Sequence, residues 1–329
     1  MFPLTATCLV RHFVRMAAVL ALAGALAGPA LAETTNPLVS PAWLQTRLGS
    51  PEVIVVDVRS AIDGGGADAY ARGHIPGAVH SDYDKAGWRV TRNGIPFMLP
   101  TPSELEKLIG ELGIDEDSHV VVTPAGVNAL DFGAAARVYW TLKAAGLGKV
   151  SILDGGFAAW QADPANPIER GITRPAPKIF TAMINRDLIA ESSEVEQVGR
   201  GVQATLIDAR PAAFYLGKEK APAARAYGHI PGAISLDNEK FYDAAANRLK
   251  SPAELAALAA AVPAGPVVTY CNTGHWAATD WFVLSEILGR KDVKLYYGSM
   301  VDWTANVSRP LVSARTKWDD LKKTLGIGL

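Results

Sequence analysis

The stretch Gly228-His229-Ile230-Pro231-Gly232-Ala233 is identical, letter for letter, to residues 73–78 of the same chain. Other matches flank both copies in the same order, and such ordered self-similarity indicates a tandem duplication. They pair Val55-Val56-Asp57-Val58-Arg59 with Leu206-Ile207-Asp208-Ala209-Arg210, residues 102–105 with 252–255, residues 120–123 with 266–269, and Gly155 and Trp160 with Gly298 and Trp303. The chain is therefore expected to fold as two similar halves.

Each half alternates short β-branched runs with helical patterns, which is typical of a parallel sheet covered by helices. The pattern predicts strands at 53–57, 119–123, 150–153, 204–208, 266–270 and 293–297, with helices near 102–112, 131–145, 252–261 and 276–289. The predicted fold class is α/β, with two tandem domains that each contain a mainly parallel sheet flanked by helices.

The N-terminal residues have the pattern of a signal peptide. Arg11, His12 and Arg15 precede an apolar run at 16–26, and Ala30-Leu31-Ala32 is a cleavage site of small residues. We expect residues 1–32 to be removed, which leaves a periplasmic or secreted protein that is free of the membrane. An uncleaved membrane anchor is the alternative, although the apolar run is short for a membrane span.

A proline-rich segment separates the two halves. Prolines at 164, 167, 175 and 177 give it the composition of an extended connector. The predicted divisions are a first domain at 33–165, a linker at 166–190 and a second domain at 191–329.

The composition limits the partners. Of the 329 residues, 49% are hydrophobic, which is enough for ordinary cores. Lysine and arginine number 32 against 33 acidic residues, so the net charge of -1 provides no electrostatic footprint for a nucleic acid. Small molecules are therefore the expected partners.

Cysteine usage points to one residue. Cys8 lies inside the predicted signal peptide, so Cys271 is the one cysteine of the mature chain. A free cysteine is often just a small buried apolar residue, but Cys271 opens the loop 271–276 between a predicted strand and a helix. Ligands of parallel sheets bind there, and the backbone N–H groups of such a loop form an anion cradle with the helix N-terminus. A thiol in this position becomes a nucleophile.

The tandem Asp-x-Arg, Gly-His-Ile-Pro-Gly-Ala and strand-Cys-x-x-Gly-loop-helix pattern resembles the two-domain rhodanese sulfurtransferases, over nearly all of the mature chain. The resemblance implies catalysis in the second domain, where Cys271 takes a sulfane sulfur from a donor such as thiosulfate. Cys271 would hold this sulfur as a persulfide and pass it to a thiophilic acceptor such as cyanide or a thiol, without a metal or an organic cofactor. Ala125 aligns with the cysteine position of the first domain, which resembles the inactive N-terminal domains of the family.

The other residues of the loop have predicted roles in anion binding. Gly274 allows a tight turn, and Asn272 and Thr273 either donate hydrogen bonds to the sulfur or shape the loop. His275 is either a cation that stabilises a thiolate or a neutral, solvent-facing side chain. Trp276 either walls the pocket or packs the start of the helix.

Three further residues are expected to support the site indirectly or to be purely structural. Asp208, Arg210 and His229 have identical counterparts in the first half, which are Asp57, Arg59 and His74. Because that half has no thiol, the repetition favours structural roles. In the family, Asp208 and Arg210 also lie near the cysteine, so an indirect role through the loop stays open.

Phe214 stands where relatives often carry a second arginine, and the loop lacks the Cys-Gly-Ser-Gly form of mercaptopyruvate-using members. The donor is therefore open, and thiosulfate suits a periplasmic location.

Other classes of protein fit less well or share the site. A cysteine phosphatase needs Cys-x5-Arg, and Ala277 stands at the arginine position. A cysteine protease needs a separate orienting histidine, which no motif marks. A 3-mercaptopyruvate sulfurtransferase, a periplasmic persulfide carrier that serves a protein acceptor, and a redox-sensing thiol are alternatives at the same cysteine.

Overall fold

A computed structural model describes residues 35–198 and 200–314 of the chain. The predicted signal peptide and Cys8 lie outside the described residues. The strands are β1 (Leu38–Val39), β2 (Val53–Asp57), β3 (Val79–His80), β4 (Val90–Arg92), β5 (Ile95–Met98), β6 (His119–Thr123), β7 (Lys149–Leu153), β8 (Thr205–Asp208), β9 (Ile234–Ser235), β10 (Tyr242–Asp243), β11 (Arg248–Leu249), β12 (Val267–Tyr270) and β13 (Val293–Leu295).

The α-helices are α1 (Pro41–Gln45), α2 (Ala67–Arg72), α3 (Pro102–Glu111), α4 (Ala129–Ala144), α5 (Gly156–Ala162), α6 (Ser192–Val198), α7 (Ala212–Tyr215), α8 (Pro252–Ala259), α9 (Trp276–Trp281) and α10 (Ser299–Trp303). One π-helical turn, Phe282–Ile287, continues α9. Across the described ranges, no helix is both long and apolar enough to span a bilayer.

Each half contains one parallel sheet. The first has the strand order β1-β7-β6-β2-β3, and the second has the order β13-β12-β8-β9. A single bridge between Ile189 and Leu295 occupies the place in the second sheet that β1 has in the first. The central strands are buried on both faces, as parallel sheets require. The predicted α/β class is confirmed, and the six predicted strands agree with the structure to within two residues.

The helix starts follow from local capping chemistry. Thr101 and Glu104 form a capping box at α3, and Ser251 and Glu254 form the corresponding one at α8. Each box satisfies backbone N–H groups that the first turn leaves without a partner. The equivalent helices of the two halves therefore begin at equivalent places.

The two halves share one hydrophobic core. Helix α4 of the first half packs against α9 of the second, and the Phe282 ring lies 5.8 Å from Phe132 and 4.9 Å from Tyr139 in edge arrangements. The largest cluster of buried hydrophobic residues contains residues of both sheets. Each sheet also has one smaller hydrophobic cluster on its other face. This packing brings the loop before α9 against the first half.

The connector is extended but not free of the first half. Between 164 and 185 the chain forms no helix or strand, yet Lys178 N–H donates to the Gly110 carbonyl and Met183 N–H to the Ala145 carbonyl. A bridge also joins Glu169 to His74. The proline-rich segment therefore lies along the surface of the first half.

Candidate active site

Cys271 follows the last residue of β12, at the carboxyl end of a central strand. Its backbone N–H donates to the Ser299 hydroxyl over 3.0 Å, and its carbonyl accepts from Met300 N–H over 3.1 Å. Ser299 Oγ in turn donates to the Tyr296 carbonyl over 2.9 Å. The start of α10 therefore fixes the backbone of Cys271, whose side chain is almost completely buried.

The loop after Cys271 presents backbone N–H groups that bind nothing within the described residues. The N–H groups of Asn272, Thr273 and Gly274 have no hydrogen-bond partner there, although the N–H group of Cys271 before them donates to Ser299. Gly274 has a φ of +71°, and a Cβ on it would lie 2.5 Å from the Tyr297 carbonyl oxygen. Unpaired N–H groups in a turn form a site for an anion.

The equivalent loop of the first half holds a carboxylate. Asp131 accepts hydrogen bonds from the N–H groups of Ala125, Gly126 and Val127 over 2.9, 2.5 and 3.1 Å. Burial raises the pKa of Asp131 to about 6, against the lowering effect of these three bonds. In the first half, therefore, the N–H groups of the loop bind a carboxylate of the same chain.

The structure corrects the alignment of the two loops by one residue. Phe157 N–H donates to the Pro124 carbonyl, as Met300 N–H does to that of Cys271. The next bonds join Ala158 to Ala125 and Val301 to Asn272. Pro124, and not Ala125, therefore occupies the cysteine position, because the strand register differs by one from that inferred from the letters. The first half still lacks a thiol there.

The Asp-x-Arg pairs have the same geometry in both halves. Arg210 Nη2 donates to Asp208 over 2.6 Å and to the Gly228 carbonyl over 2.8 Å. Arg59 makes the matching bonds to Asp57 and Gly73 over 2.6 and 2.8 Å. These pairs tie the loop after the first central strand to the Gly-His-Ile-Pro-Gly turn, which favours the structural interpretation.

Arg210 additionally reaches the loop after the cysteine. Its Nη1 donates to Asn272 Oδ1 over 3.4 Å. The Asn272 side chain is thereby engaged with Arg210, so it shapes the loop, and Asp208 is linked to Asn272 through Arg210.

His229 is held by Tyr215. Its Nδ1 pairs with the Tyr215 carbonyl over 2.7 Å, and its ring stacks on Tyr215 with centroids 3.8 Å apart. His74 repeats this arrangement with Tyr70, at 2.9 Å and 3.9 Å. The repetition favours the interpretation of both histidines as turn residues.

Phe214 and Trp276 lie together at the start of α9. Their rings meet edge to face, with centroids 5.7 Å apart, and Trp276 also packs on the shared core. Phe214 therefore makes an aromatic contact with Trp276, and the packing role of Trp276 is the one that the structure supports.

His275 is buried between the halves and uncharged. Its Nε2 lies 2.8 Å from the Leu130 carbonyl, which only accepts, so Nε2 carries the proton and Nδ1 accepts from the Tyr83 hydroxyl over 2.8 Å. A Cβ on Gly133 would lie 2.8 Å from Nε2, so that glycine makes room for the ring. Burial, with a smaller effect from nearby Arg89, lowers the pKa of His275 to about 3.

Both sequence-based interpretations of His275 are therefore wrong. The ring is neither an imidazolium nor exposed to solvent, because the surface that covers it belongs to the other half. The backbone of residues 272–276 as an anion-binding loop stays a prediction, which the open N–H groups support.

Sequence reasoning missed Arg137, a buried residue in the middle of α4. Its Nη1 donates to the Thr273 carbonyl over 3.2 Å, so a cation of the first half touches the cysteine loop. The available signal was a single basic residue in the apolar helix segment 132–142, since arginine is seldom buried without a partner.

Within the described ranges no cluster of His, Cys, Asp and Glu is suited to hold a metal ion.

Comparisons with known proteins agree with this geometry. The family described as Rhodanese-like domain matches residues 40–163 and 192–306. The 3-mercaptopyruvate sulfurtransferase of Escherichia coli K12 is 32% identical over 287 residues, which cover 84% of this chain and 98% of that protein. The thiosulfate sulfurtransferase of Pseudomonas aeruginosa is 32% identical over 277 residues, with coverage of 83% and 96%.

A solved structure shows the same fold. The crystal structure of SseA from Escherichia coli, a 3-mercaptopyruvate sulfotransferase, superposes with a TM-score of 0.69 at 31% identity. The match covers 80% of this chain and 99% of that one.

Proposed function

Since the chain belongs to the rhodanese-like family and is a tandem-domain sulfurtransferase, we propose that it moves a sulfane sulfur from thiosulfate to a thiophilic acceptor through a persulfide on Cys271. The observation that carries the proposal is the set of open N–H groups beside this buried cysteine, because the matching loop of the first half binds a carboxylate with the same groups. A loop of this kind stabilises the negative charge of a persulfide.

The reaction has two steps. The Cys271 thiolate attacks the outer sulfur of thiosulfate, a new S–S bond forms, and sulfite leaves with the electron pair of the broken S–S bond. An acceptor such as cyanide then attacks the terminal sulfur, which releases thiocyanate and restores the thiolate. The N–H groups of the loop hold the terminal sulfur between the steps, and the almost complete burial of Cys271 limits competing water.

The test is the intact mass of the full protein after incubation with thiosulfate and then with cyanide. We expect the wild type to gain one sulfur atom and lose it as thiocyanate, while Cys271→Ser gains nothing. Absence of the gain with thiosulfate would contradict the proposed donor.

A second candidate donor is 3-mercaptopyruvate, favoured by the similarity to the Escherichia coli enzyme. The leaving product separates the two donors, since thiosulfate releases sulfite and 3-mercaptopyruvate releases pyruvate. Loading by 3-mercaptopyruvate alone would establish this second candidate. Loading without discharge to cyanide or small thiols would instead favour a persulfide carrier for a protein acceptor.

Export is a separate proposal. The basic residues before 16–26 and the small residues Ala30 and Ala32 support removal of a signal peptide. Expression of the full chain in a Gram-negative host should place a protein that begins at Glu33 in the periplasmic fraction. An intact N-terminus in the membrane fraction would contradict it.

A further inference from the structure

Arg137 is a buried cation with most of its hydrogen-bonding capacity unused. Its side chain has no exposed surface, and of its three nitrogens Nη1 alone has a partner, the Thr273 carbonyl. Within the described residues, Nε and Nη2 bind nothing and no carboxylate forms an ion pair with the guanidinium. The guanidinium also lies 5.1 Å from the centre of the Trp140 ring.

A charge in this environment needs a counter-ion. Removing an ionised group from water is expensive unless an opposite charge or several hydrogen bonds replace the solvent. Burial lowers the pKa of Arg137 to about 10, so the side chain stays protonated at neutral pH. A positive charge therefore lies beside the cysteine loop without a fixed negative partner.

The groups around Arg137 leave one source for that partner. Among the described ionisable groups, those with the largest electrostatic effect on Arg137 are Tyr83, Arg89, Cys271 and Tyr297, and the neighbouring His275 is neutral. Arg89 is a cation, and burial raises the pKa of both tyrosines above the usual range. The sulfur of Cys271 is the remaining acid.

We propose that Arg137 of the first half is the counter-ion of the sulfur anion on Cys271, both as the thiolate and as the persulfide. The inference rests on the proposed role of Cys271 as the nucleophile. Arg137 positions the loop through its hydrogen bond to the Thr273 carbonyl and supplies the positive charge that the loop itself lacks. The inactive half thereby acquires a function in the site, although it has no thiol of its own.

The first test follows alkylation of Cys271 by iodoacetamide across the pH range, in full-length variants without a sulfur donor. Arg137→Met keeps the length of the side chain and removes its charge, whereas Arg137→Lys keeps the charge. We expect the pH of half-maximal rate to rise by at least about one unit in Arg137→Met, with a rate about tenfold lower at pH 7. Arg137→Lys should lie closer to the wild type.

The control is Arg186→Met, which removes an exposed charge on the connector side and should leave the profile unchanged. An unchanged profile in a folded Arg137→Met variant would overturn the proposal. A merely structural arginine would alter the melting temperature without moving this profile.

A second test uses the wild type and does not depend on a variant that folds. Carboxymethyl and carboxamidomethyl adducts of Cys271 have nearly the same size and differ in one negative charge. We expect the carboxymethyl protein to melt at the higher temperature, because Arg137 and the open N–H groups both favour an anion. Equal melting temperatures would contradict the proposal.

The two proposals can fail independently. Neither alkylation nor adduct stability requires a sulfur donor, so a protein that rejects thiosulfate can still show the charge effect. Conversely, suppose that Arg137→Met loads sulfur and keeps the wild-type alkylation profile. That result would leave Cys271 as the nucleophile and refute the role of Arg137 as its counter-ion.

Discussion

Asp131 and Ala278 stand at the third position of equivalent helices, and their side chains decide which of the two loops is open. Helix α4 begins at Ala129 and α9 at Trp276, after loops of the same length. The Asp131 carboxylate binds three N–H groups of its own loop, whereas the methyl group of Ala278 leaves the corresponding groups unpaired within the described residues. The first loop thus binds a carboxylate of its own helix, whereas the second loop has no such side chain.

Ala278→Asp should close the second loop. The new carboxylate is expected to bind the N–H groups of the loop as Asp131 does, and sulfur loading at pH 7.5 should fall by about 100-fold, the scale seen when oxyanion stabilisation is lost. Loading measured by intact mass tests this.

The isosteric Ala278→Asn is the matched control for size. Because burial raises the pKa of Asp131 to about 6, the deficit of the aspartate variant relative to the asparagine variant should shrink below pH 6, as the carboxylate gains a proton. Equal activity of the two variants at every pH would contradict this account.

His275 should make the fold sensitive to acid. The pKa of the folded state is about 3, below the ordinary value of 6.5, so the unfolded chain binds the additional proton as the pH falls below 6.5. Between pH 7 and pH 4.5 the free energy of unfolding should drop by about 3 kcal/mol from this group. Urea unfolding of the wild type and of His275→Gln measures the effect. Parallel pH profiles of the two proteins would show that His275 has no such role.

Asp280 should destabilise the fold as the pH rises. It is fully buried, both carboxylate oxygens lack a partner within the described residues, and burial raises its pKa well above the ordinary value of 3.8. The folded state therefore keeps its proton where the unfolded chain loses it, so stability declines above about pH 4. Asp280→Asn should be more stable than the wild type at pH 8, by on the order of 2 kcal/mol, and the difference should vanish near pH 4.

Gly274→Ala should damage the loop, and Gly289→Ala is its matched control. Both glycines have a positive φ, +71° and +66°, so both substitutions cost about 1 kcal/mol of backbone strain. At Gly289 a Cβ meets open space, whereas at Gly274 it would crowd the Arg137 guanidinium and the Tyr297 carbonyl. Sulfur loading should therefore be lost in Gly274→Ala and retained in Gly289→Ala. Sulfur loading retained in both variants would contradict this prediction, because it would show that the loop 271–276 works with a Cβ at position 274.

The sequence predicts the sheets and the position of Cys271 well because their signals are local. Runs such as 119–123 and 267–270 are β-branched and bounded by turn residues, and the duplication supplies each signal twice. The hairpins β4–β5 and β10–β11 were not predicted, since their strands have two to four residues and too little periodicity.

The environment of His275 could not be predicted in this way. Tyr83 lies 192 residues away in the chain and Arg137 lies 136 residues from Thr273. Which of these residues meet depends on how α4 packs on α9, a relationship that no local pattern encodes. The one-residue error at Pro124 has a related cause, because strand register, and not letter similarity, decides which residues are equivalent.

The packing of α4 on α9 gives the chain the architecture of a fused homodimer. Equivalent helices of the two halves bury each other, as do the matching surfaces of an isologous two-fold interface. In a true homodimer every substitution appears on both sides, so a subunit cannot give up its own nucleophile in order to serve its neighbour. Covalent fusion removes that restriction: one half keeps Cys271, while the other contributes Tyr83 and Arg137 to the loop that follows this cysteine, at His275 and Thr273. The duplication thus permits a division of labour that symmetry would forbid.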